Sequence, residues 1–237
     1  MAAELLSAVP TSALAIYAHP DDADVSCGGT LAAWAQAGAP VHLVICTSGD
    51  KGSSEPAADP GALVARRHLE VAAAAEVLGL AGVEELGYPD GEVENDRELR
   101  ARLVGLIRRL RPEVVVCPDP LALFFGEHYY NHRDHRVVGA AALDAACPAA
   151  GSPLYFPEQG SAFSPAFAYL SGSLEPGVYV DIGATVGKKA EAILCHASQL
   201  GETGEWFREV VSDRAEQAGR AAGVPYAEAF RRIRIAS

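Results

Sequence analysis

The chain lacks the positive charge that nucleic-acid-binding proteins usually carry. Its 19 lysines and arginines stand against 31 aspartates and glutamates, so the net charge is -12 over 237 residues. Nucleic acids and anionic membrane surfaces attract basic patches, which argues against both as partners. A small anionic substrate stays open, because one local arginine can outweigh the field of the whole chain.

Long apolar runs are missing as well. No run approaches the ~18 apolar residues that a membrane helix needs, and Glu4 stands where an export signal has positive charge. From these two features we predict a cytoplasmic protein without a membrane partner.

Cysteine and glycine motifs are equally sparse. The five cysteines are odd in number and show no Cys-x-x-Cys spacing, so neither a disulfide framework nor a thiolate zinc site is indicated, and we expect buried free thiols. Neither G-x-G-x-x-G nor G-x-x-x-x-G-K-[ST] occurs, which argues against a bound nucleotide. The lone Gly28-Gly29 pair is expected to let a helix start close beside a site, with its amides facing that site.

What the chain does have is a regular alternation of short apolar runs and helical patterns. The pattern predicts strands at 14–17, 41–46, 83–86 and 114–117, and helices at 31–37, 60–78, 96–110 and 137–146. Short, fully apolar strands between helices are typical of a mostly parallel sheet with helices on both faces. The expected fold class is therefore α/β and Rossmann-like.

The alternation of strand and helix patterns becomes less regular after Gly151. Strand-like runs at 166–170 and 178–180 and helical patterns at 185–195 and 205–222 follow. A chain of this length suits one domain, and we expect a core at about 12–147 with a C-terminal elaboration at about 151–237 that completes the site. Edge strands in this C-terminal third are candidates for pairing between the subunits of a homo-oligomer.

The first candidate site follows the apolar run 14–17. The segment Ala18-His19-Pro20-Asp21-Asp22-Ala23-Asp24 places one imidazole and three carboxylates at a strand end, where α/β proteins often place their chemistry. On a turn, His19 and Asp22 can bind one cation while Asp21 faces elsewhere. The alternative is an Asx turn with a solvated acidic tip, which a histidine at the strand end makes the weaker interpretation.

A second cluster lies far along the chain, in Tyr129-Tyr130-Asn131-His132-Arg133-Asp134-His135. His132 and His135 are three residues apart at the start of a predicted helix, so both can face one point. Arg66 and Arg67 lie near the start of the helix at 60–78. One of them is a candidate substrate clamp, although exposed arginines on helices are usually only solvated.

Together the two clusters contain the groups for metal-dependent hydrolysis. Two neutral imidazoles and a carboxylate are a common catalytic zinc set, and water in such a site has a pKa near ~7 against ~15.7 in bulk. Asp21 can act as the base, and His132, with Tyr130, as the acid or electrophile. Asp134 is expected to hydrogen-bond His132 and to keep it protonated or oriented. This set suffices to hydrolyse an amide through a tetrahedral intermediate.

These motifs resemble those of the PIG-L/LmbE-like family of zinc-dependent N-acetylglucosaminyl deacetylases. The resemblance rests on Ala18-His19-Pro20-Asp21-Asp22 and His132-Arg133-Asp134-His135, and segments at 28–31, 49–53, 89–91 and 196–199 look like further recurring segments of the family. It implies an LmbE-like Rossmann fold and one zinc ion, or another divalent metal, per chain. The implied partner is a small N-acetylated sugar conjugate.

The resemblance also implies individual roles in the metal centre. His19, Asp22 and His135 match the family's metal ligands, and Asp21 matches its general base. Ala23 stands where many members have a glutamate, and a variant motif puts the acid one residue later, at Asp24. We therefore expect Asp24 to support the ligands from behind.

Roles next to the substrate follow in the same way. His132 matches the family's proposed acid or oxyanion stabiliser, and Tyr130 matches a tyrosine that helps to hold the oxyanion in some members. Arg67 matches an arginine that contacts substrate, with Arg66 as the neighbour it could be confused with. Arg133 replaces the proline that usually stands between the two histidines.

The predicted function is thus a zinc-dependent hydrolase that removes the acetyl group from an N-acetylglucosamine-type substrate. The nearest alternative is an amidase of a larger sugar-thiol conjugate. A different class is a Rossmann-type nucleotide- or metal-binding protein without hydrolase activity. Family members act on N-acetylglucosamine joined to inositol, malate or phosphatidylinositol, on chitobiose and on glycopeptide antibiotics, and the sequence does not separate these substrates.

Overall fold

The computed structural model describes residues 3–127, 129–200 and 204–235, and of 204–207 the backbone only. The strands are β1 (Glu4–Leu6), β2 (Ala13–Tyr17), β3 (Val41–Thr47), β4 (Gly82–Tyr88), β5 (Val114–Pro118), β6 (Phe124–Phe125), β7 (Tyr129–Tyr130), β8 (Phe167–Ser171), β9 (Val178–Asp181) and β10 (Ala227–Arg234). The helices are α1 (Asp22–Gln36), α2 (Pro60–Leu78), α3 (Arg97–Leu110), α4 (Arg133–Asp144), α5 (Val186–Leu194), α6 (Ala197–Leu200) and α7 (Gly204–Ala222). A π-helical turn at Ala145–Ala149 and a 3-10 turn at Pro157–Gln159 complete the set.

One eight-stranded sheet, in the order β1-β9-β10-β8-β5-β2-β3-β4, forms the centre. Neighbouring strands are parallel except for β10, which runs antiparallel to both β8 and β9. The predicted α/β fold with a mostly parallel sheet is confirmed. The strands β6 and β7 form a separate small hairpin beside this sheet.

Side chains of β2 show why helices cover both faces of the sheet. Leu14 and Ile16 belong to one buried cluster together with α3 and α4, whereas Ala15 and Tyr17 belong to a second cluster together with α1. Successive strand residues point to opposite faces, so an all-apolar strand requires cover on each side.

Local signals set the ends of the long helices. The Asp59 side chain accepts a hydrogen bond from the amide of Gly61 at the start of α2, and Gly79 ends that helix with a φ of 76°. The Asp96 side chain accepts from the amide of Leu99 at the start of α3. Both helices therefore begin, and α2 also ends, where capping chemistry predicts.

Two helices begin earlier than expected, and both shifts fall in the candidate site. Helix α1 begins at Asp22 rather than near Leu31, and α4 begins at Arg133 rather than at Val137. The Gly28-Gly29 pair obscured the first start, because α1 continues through it after an interruption at Cys27. Metal-ligand candidates that the sequence placed in loops therefore lie in the first turns of helices.

The C-terminal third is more integrated than its irregular pattern indicated. Strands β8, β9 and β10 lie inside the sheet, and among the strands that the structure describes the edges are β1 and β4. The expectation of C-terminal edge strands free for subunit pairing was therefore wrong. These strands are interior because β1 pairs with β9 and so covers it.

The predicted state of the cysteines holds for three of the five. Cys27, Cys46 and Cys117 are buried free thiols, and burial raises the pKa of each thiol above its usual value. Cys195 is partly buried and Cys147 is exposed, and both are free. No helix in the described ranges has both the length and the apolarity for crossing a bilayer.

Candidate metal centre and active site

The candidate site lies at the carboxyl edge of the parallel strands. His19 follows β2, Asp50 follows β3, Asp90 follows β4 and Asp119 follows β5. Carboxyl ends of parallel strands meet at one edge of a sheet, which is where open α/β proteins form their binding crevices. The predicted site is therefore built from four strand ends together with the first turns of α1 and α4.

His19, Asp22 and His135 converge into one small triangle of donor atoms. His19 Nδ1 lies 3.1 Å from His135 Nε2 and 3.2 Å from Asp22 Oδ2, and His135 Nε2 lies 3.0 Å from Asp22 Oδ1. Two ligands of a tetrahedral ion with bonds of ~2.1 Å stand about 3.4 Å apart. The structure thus brings the three predicted ligands together at nearly the spacing that a zinc-sized ion requires.

The far nitrogen of each imidazole is held by an oxygen, which leaves the near nitrogen free for a cation. His19 Nε2 lies 3.0 Å from Asp90 Oδ1, and His135 Nδ1 lies 2.9 Å from Asn131 Oδ1. Histidines that ligate metals almost always donate their other N–H to such an oxygen. The chemistry of the donor set therefore fits a metal ion with one open position.

Acidic groups dominate the surroundings of His19. Burial lowers the pKa of His19, but Asp22, Asp134 and Asp90 outweigh that effect and raise the pKa to about 12. Burial raises the pKa of Asp22, yet His135 and His19 reverse this effect and hold the pKa well below its usual value. The cluster is thus arranged to stabilise positive charge at its centre.

Asp21 occupies the position before α1 and keeps its carboxylate free. Its side chain does not cap the helix, is 29% exposed, and lines the cavity beside the three ligands. Arg67 Nη2 lies 3.8 Å from Asp21 Oδ1. This is the location that a general base next to the metal would need.

His132 and Asp134 lie together, but their contact differs from the one expected. The backbone N–H of Asp134 donates to His132 Nδ1 at 3.2 Å, while the Asp134 carboxylate accepts from the amide of Gly91 at 2.7 Å and lies 3.6 Å from His19 Nε2. The prediction that the Asp134 carboxylate hydrogen-bonds His132 was therefore wrong. With Nδ1 accepting, the neutral ring carries its proton on Nε2, and burial lowers the pKa of this ring.

The hairpin β6–β7 separates the two neighbouring tyrosines. Tyr129 and Phe125 line the cavity, and burial together with the charge of Asp22 raises the pKa of Tyr129. Tyr130 is 58% exposed, and its hydroxyl accepts a hydrogen bond from Arg136 Nη2 at 2.9 Å. The structure thus directs Tyr129, which the sequence did not single out, toward the cavity instead of Tyr130.

Helix α2 separates the two arginines in the same way. Arg67 is only 3% exposed, and its Nη1 donates to the carbonyl of Gly49 at 2.9 Å, while its Nε has no partner among the described residues. Arg66 is exposed and bonds Glu70 on the helix surface. The structure therefore places Arg67 beside Asp21 and Arg66 on the outer side of α2.

Asp24, which was expected to support the ligands from behind, is buried against His196. Its carboxylate receives a hydrogen bond from His196 Nε2 at 2.6 Å, and both residues are almost fully buried. Burial raises the pKa of Asp24; burial lowers the pKa of His196, but Asp24 reverses this and raises it. Ser198 donates its amide and hydroxyl to Glu70, which ties the segment after His196 to α2.

A cavity of about 840 Å³ opens beside the ligand triangle. Asp21, Asp22 and His135 are among its lining residues, as is Arg214 of α7. A volume in the range of ~300–1,000 Å³ suits a ligand of one or two sugar rings.

The fold and the site define an α/β protein with a His/Asp/His centre at the carboxyl edge of its sheet. A family profile described as PIG-L: GlcNAc-PI de-N-acetylase matches residues 14–146. The chain belongs to this PIG-L family of enzymes, and the family predicted from the motifs is confirmed.

Known proteins with similar sequence and structure agree with this membership. N,N'-diacetylchitobiose deacetylase from Pyrococcus horikoshii, complexed with its inhibitor MPG, superimposes with a TM-score of 0.87 at 28% identity, over 95% of this chain and 84% of that one. The 1D-myo-inositol 2-acetamido-2-deoxy-alpha-D-glucopyranoside deacetylase of Rhodococcus jostii (strain RHA1) is 30% identical over 244 residues, which cover 79% of this chain and 81% of the relative. These relatives are deacetylases that act on N-acetylglucosamine-type substrates.

One similar structure has a different activity. GalB, the 4-carboxy-2-hydroxymuconate hydratase from Pseudomonas putida KT2440, superimposes with a TM-score of 0.78 at 27% identity, over 95% of this chain and 98% of that one. The fold therefore hosts more than one reaction, and the assignment of a reaction has to come from the site.

Proposed function

We propose that this chain is a metal-dependent deacetylase that hydrolyses the acetamido group of an N-acetylglucosamine-type substrate. The observation that carries the proposal is the ligand triangle of His19, Asp22 and His135 with a free carboxylate, Asp21, beside it in the lining of the cavity. A water molecule, a base and a polarised amide carbonyl can meet at that point.

The ligands favour one zinc ion per chain, although the same nitrogen and oxygen donors accept other divalent metals. His19, Asp22 and His135 would hold the ion. When bound, it supplies Lewis acidity to the amide carbonyl and acidity to a coordinated water. Asp90 and Asn131 would keep the two imidazoles oriented.

Asp21 is proposed to move the proton during hydrolysis. Its carboxylate takes a proton from the attacking water as the new carbon–oxygen bond forms at the acetyl carbon. The same proton is then delivered to the amide nitrogen as the carbon–nitrogen bond breaks. The second proton of the water stays on the new carboxyl group and then passes to the amine, so the products are acetate and a protonated amine, and atoms and charges balance.

His132 is proposed to stabilise the oxygen of the acetyl group. Its Nδ1 accepts a hydrogen bond from the Asp134 amide, so the neutral ring carries its N–H on Nε2, on the side away from α4. That N–H can donate to a developing oxyanion. Asp134, held by Gly91, fixes the start of α4 and with it the direction of this ring. Tyr130 is still proposed to help to hold the oxyanion, as the family resemblance implies, whereas the tyrosine that lines the cavity is Tyr129.

Arg67 is proposed to bind a substrate hydroxyl or anion next to Asp21, because its buried guanidinium lies 3.8 Å from that carboxylate and its Nε lacks a described partner. Arg66 is the weaker candidate, since it lies on the outer surface of α2.

The other proposals concern the chain as a whole. We propose that it forms a single domain, is cytoplasmic, acts on a small sugar conjugate without a nucleic-acid or membrane partner, and is a candidate homo-oligomer.

A deacetylation screen tests the proposal. Purified protein is incubated with N,N'-diacetylchitobiose, with N-acetylglucosamine linked to inositol and with a thiol-sugar amide, while free amine and metal content are measured on the same sample. We expect amine release that EDTA abolishes and that zinc restores. Cleavage of the thiol-sugar amide alone would favour the amidase, and bound metal with no amine release from any substrate would refute the hydrolase.

A further inference from the structure

The helix that carries Asp22 is interrupted halfway. Cys27 has a φ of -149° and a ψ of 17°, which are not helical values, so α1 consists of a first segment up to Ser26 and a second from Gly28. In an uninterrupted helix the amide of Gly29 would donate to the carbonyl of Val25, four residues earlier. Such groups require other partners when they are withdrawn from water.

A buried ion pair occupies the gap. Glu228 of β10 accepts from the amide of Gly29 at 3.1 Å and from the amide of Thr30 at 2.7 Å. Lys189 of α5 donates to the carbonyl of Val25 at 2.8 Å, and its Nζ also contacts Glu228 Oε1. Lys189 and Glu228 are 3% and 5% exposed. The pair thus bridges the two groups that a regular helix would join directly.

The charges match the two helix segments that they join. The Lys189 ammonium lies at the carboxyl end of the first segment, where the helix dipole is negative. The Glu228 carboxylate lies at the amino end of the second segment, where the dipole is positive. A buried ion pair adds little net stability because desolvation offsets the attraction between its charges. Its effect here is to hold one segment at a defined angle to the other.

The segment held in this way is the one that presents the ligand. It begins at Asp22 and is preceded by Asp21, and both residues line the cavity that Lys189 and Glu228 also line. We propose that Lys189 and Glu228 are positioning residues that orient the first segment of α1 and thereby set the metal affinity of the centre. This inference rests on the metal site of the proposed function but not on its substrate.

Zinc affinity of the metal-free protein tests the inference without an activity assay. We expect Glu228→Gln and Lys189→Met to weaken zinc binding by about 10-fold or more in competition with a chelator, as loss of outer-shell partners typically does. Lys189→Arg keeps a positive charge and N–H donors beside Glu228, so its zinc affinity should stay within about 3-fold of the parent. The visible spectrum of the cobalt-substituted protein should change in the first two variants.

A matched control separates positioning from general destabilisation. Arg108 of α3 is also 5% exposed, and it donates to backbone carbonyls of Ala149, Ala150, Ser152, Tyr155, Phe156 and Gly160. Arg108→Met should lower the melting temperature while zinc affinity stays within about 2-fold, because this arginine contacts neither segment of α1. If Glu228→Gln or Lys189→Met fails to fold, the double variant that carries both substitutions is tested in its place, because it leaves no unpaired buried charge.

The outcomes are distinct from those of the proposed function. Zinc binding that weakens in the pair variants supports the inference even if no acetylated sugar is hydrolysed. Parent-like zinc affinity and cobalt spectrum in every folded pair variant would overturn it, whatever the activity. A parent protein that binds no divalent metal at these ligands would also overturn it.

Discussion

The two halves of the candidate site have very different surroundings. The first half, from His19 to Asp24, is backed by the buried partners His196 and Glu228, which are 1% and 5% exposed. The second half begins on the hairpin β6–β7, where Tyr129 and Tyr130 are 51% and 58% exposed. The first half is thus backed by buried charge, whereas the second half begins at an exposed hairpin and is buried only further on, at Asn131 and Asp134.

This difference separates metal binding from substrate binding. A metal centre needs its donor atoms within tenths of an ångström, so its ligands gain from a rigid, buried support. An exposed aromatic hairpin can adjust to a sugar ring without disturbing those ligands. We therefore expect changes around the first half to alter metal affinity or chemistry, and changes on the hairpin to alter substrate binding.

The largest effect is expected from Asp21→Asn. Asparagine keeps the shape but cannot accept the proton of the water, so kcat should fall by about 10²- to 10⁴-fold. Metal content should stay at the parent value, since Asp21 is not one of the three ligands. Steady-state kinetics and metal analysis on one preparation measure both. Loss of metal in this variant would place Asp21 in the ligand set instead.

His132→Ala should have the next largest effect. Removal of one oxyanion donor typically lowers kcat by about 10²- to 10³-fold, with zinc affinity unchanged. This variant tests the boundary between the halves, because the His132 ring lies 4.7 Å from the His19 ring, centroid to centroid. Weaker zinc binding would show that His132 supports the ligands.

Asp90→Asn sharpens the claim that the first half is built for metal binding. Asparagine offers His19 Nε2 a neutral oxygen in place of the carboxylate, which weakens the hold on the ring, so zinc affinity should fall by about 10-fold. The control is Glu92→Gln two residues later, which pairs only with the exposed Lys51 in the described contacts. Chelator competition should give a parent-like value for the control, and equal affinities in the two variants would contradict the role of Asp90.

The smallest effect is expected on the hairpin. Tyr129→Phe removes a hydroxyl from the cavity wall and should change kcat/KM about 5-fold, the equivalent of one hydrogen bond of ~1 kcal/mol. Tyr130→Phe, which only loses the contact with Arg136, should stay within about 2-fold. The reverse order would show that the hairpin rearranges when substrate binds and would support the oxyanion role of Tyr130.

Local chemistry explains why so much of the site was predictable from the chain. His19, Asp21 and Asp22 are neighbours at a strand end, and His132 and His135 share one helical turn, so their meeting requires only the parallel sheet that the apolar runs indicate. The caps Asp59 and Asp96 were predictable for the same reason, since a cap bonds an amide two or three residues away.

Which of two adjacent side chains lies in the site depends on the direction in which each side chain points, and the sequence does not give that direction. Arg66 and Arg67 are adjacent on one helix, yet Arg67 is buried beside Asp21 while Arg66 is exposed. Tyr129 and Tyr130 are adjacent on one strand, yet Tyr129 lines the cavity while the hydroxyl of Tyr130 contacts Arg136. The outcome depends on how α2 is rotated about its axis against the sheet, and on which face of the hairpin packs toward the cavity. Both are properties of tertiary packing.

The chain by itself determined the α/β class, the family and the residues that could bind a metal. Only the tertiary structure decided what supports them: Asp90 beside His19, His196 behind Asp24, and Glu228 at the interruption of α1. Glu228 and Gly29 are 199 residues apart in sequence. Such partners meet because α1, α5 and β10 pack together, and nothing in the local sequence of either residue specifies the other.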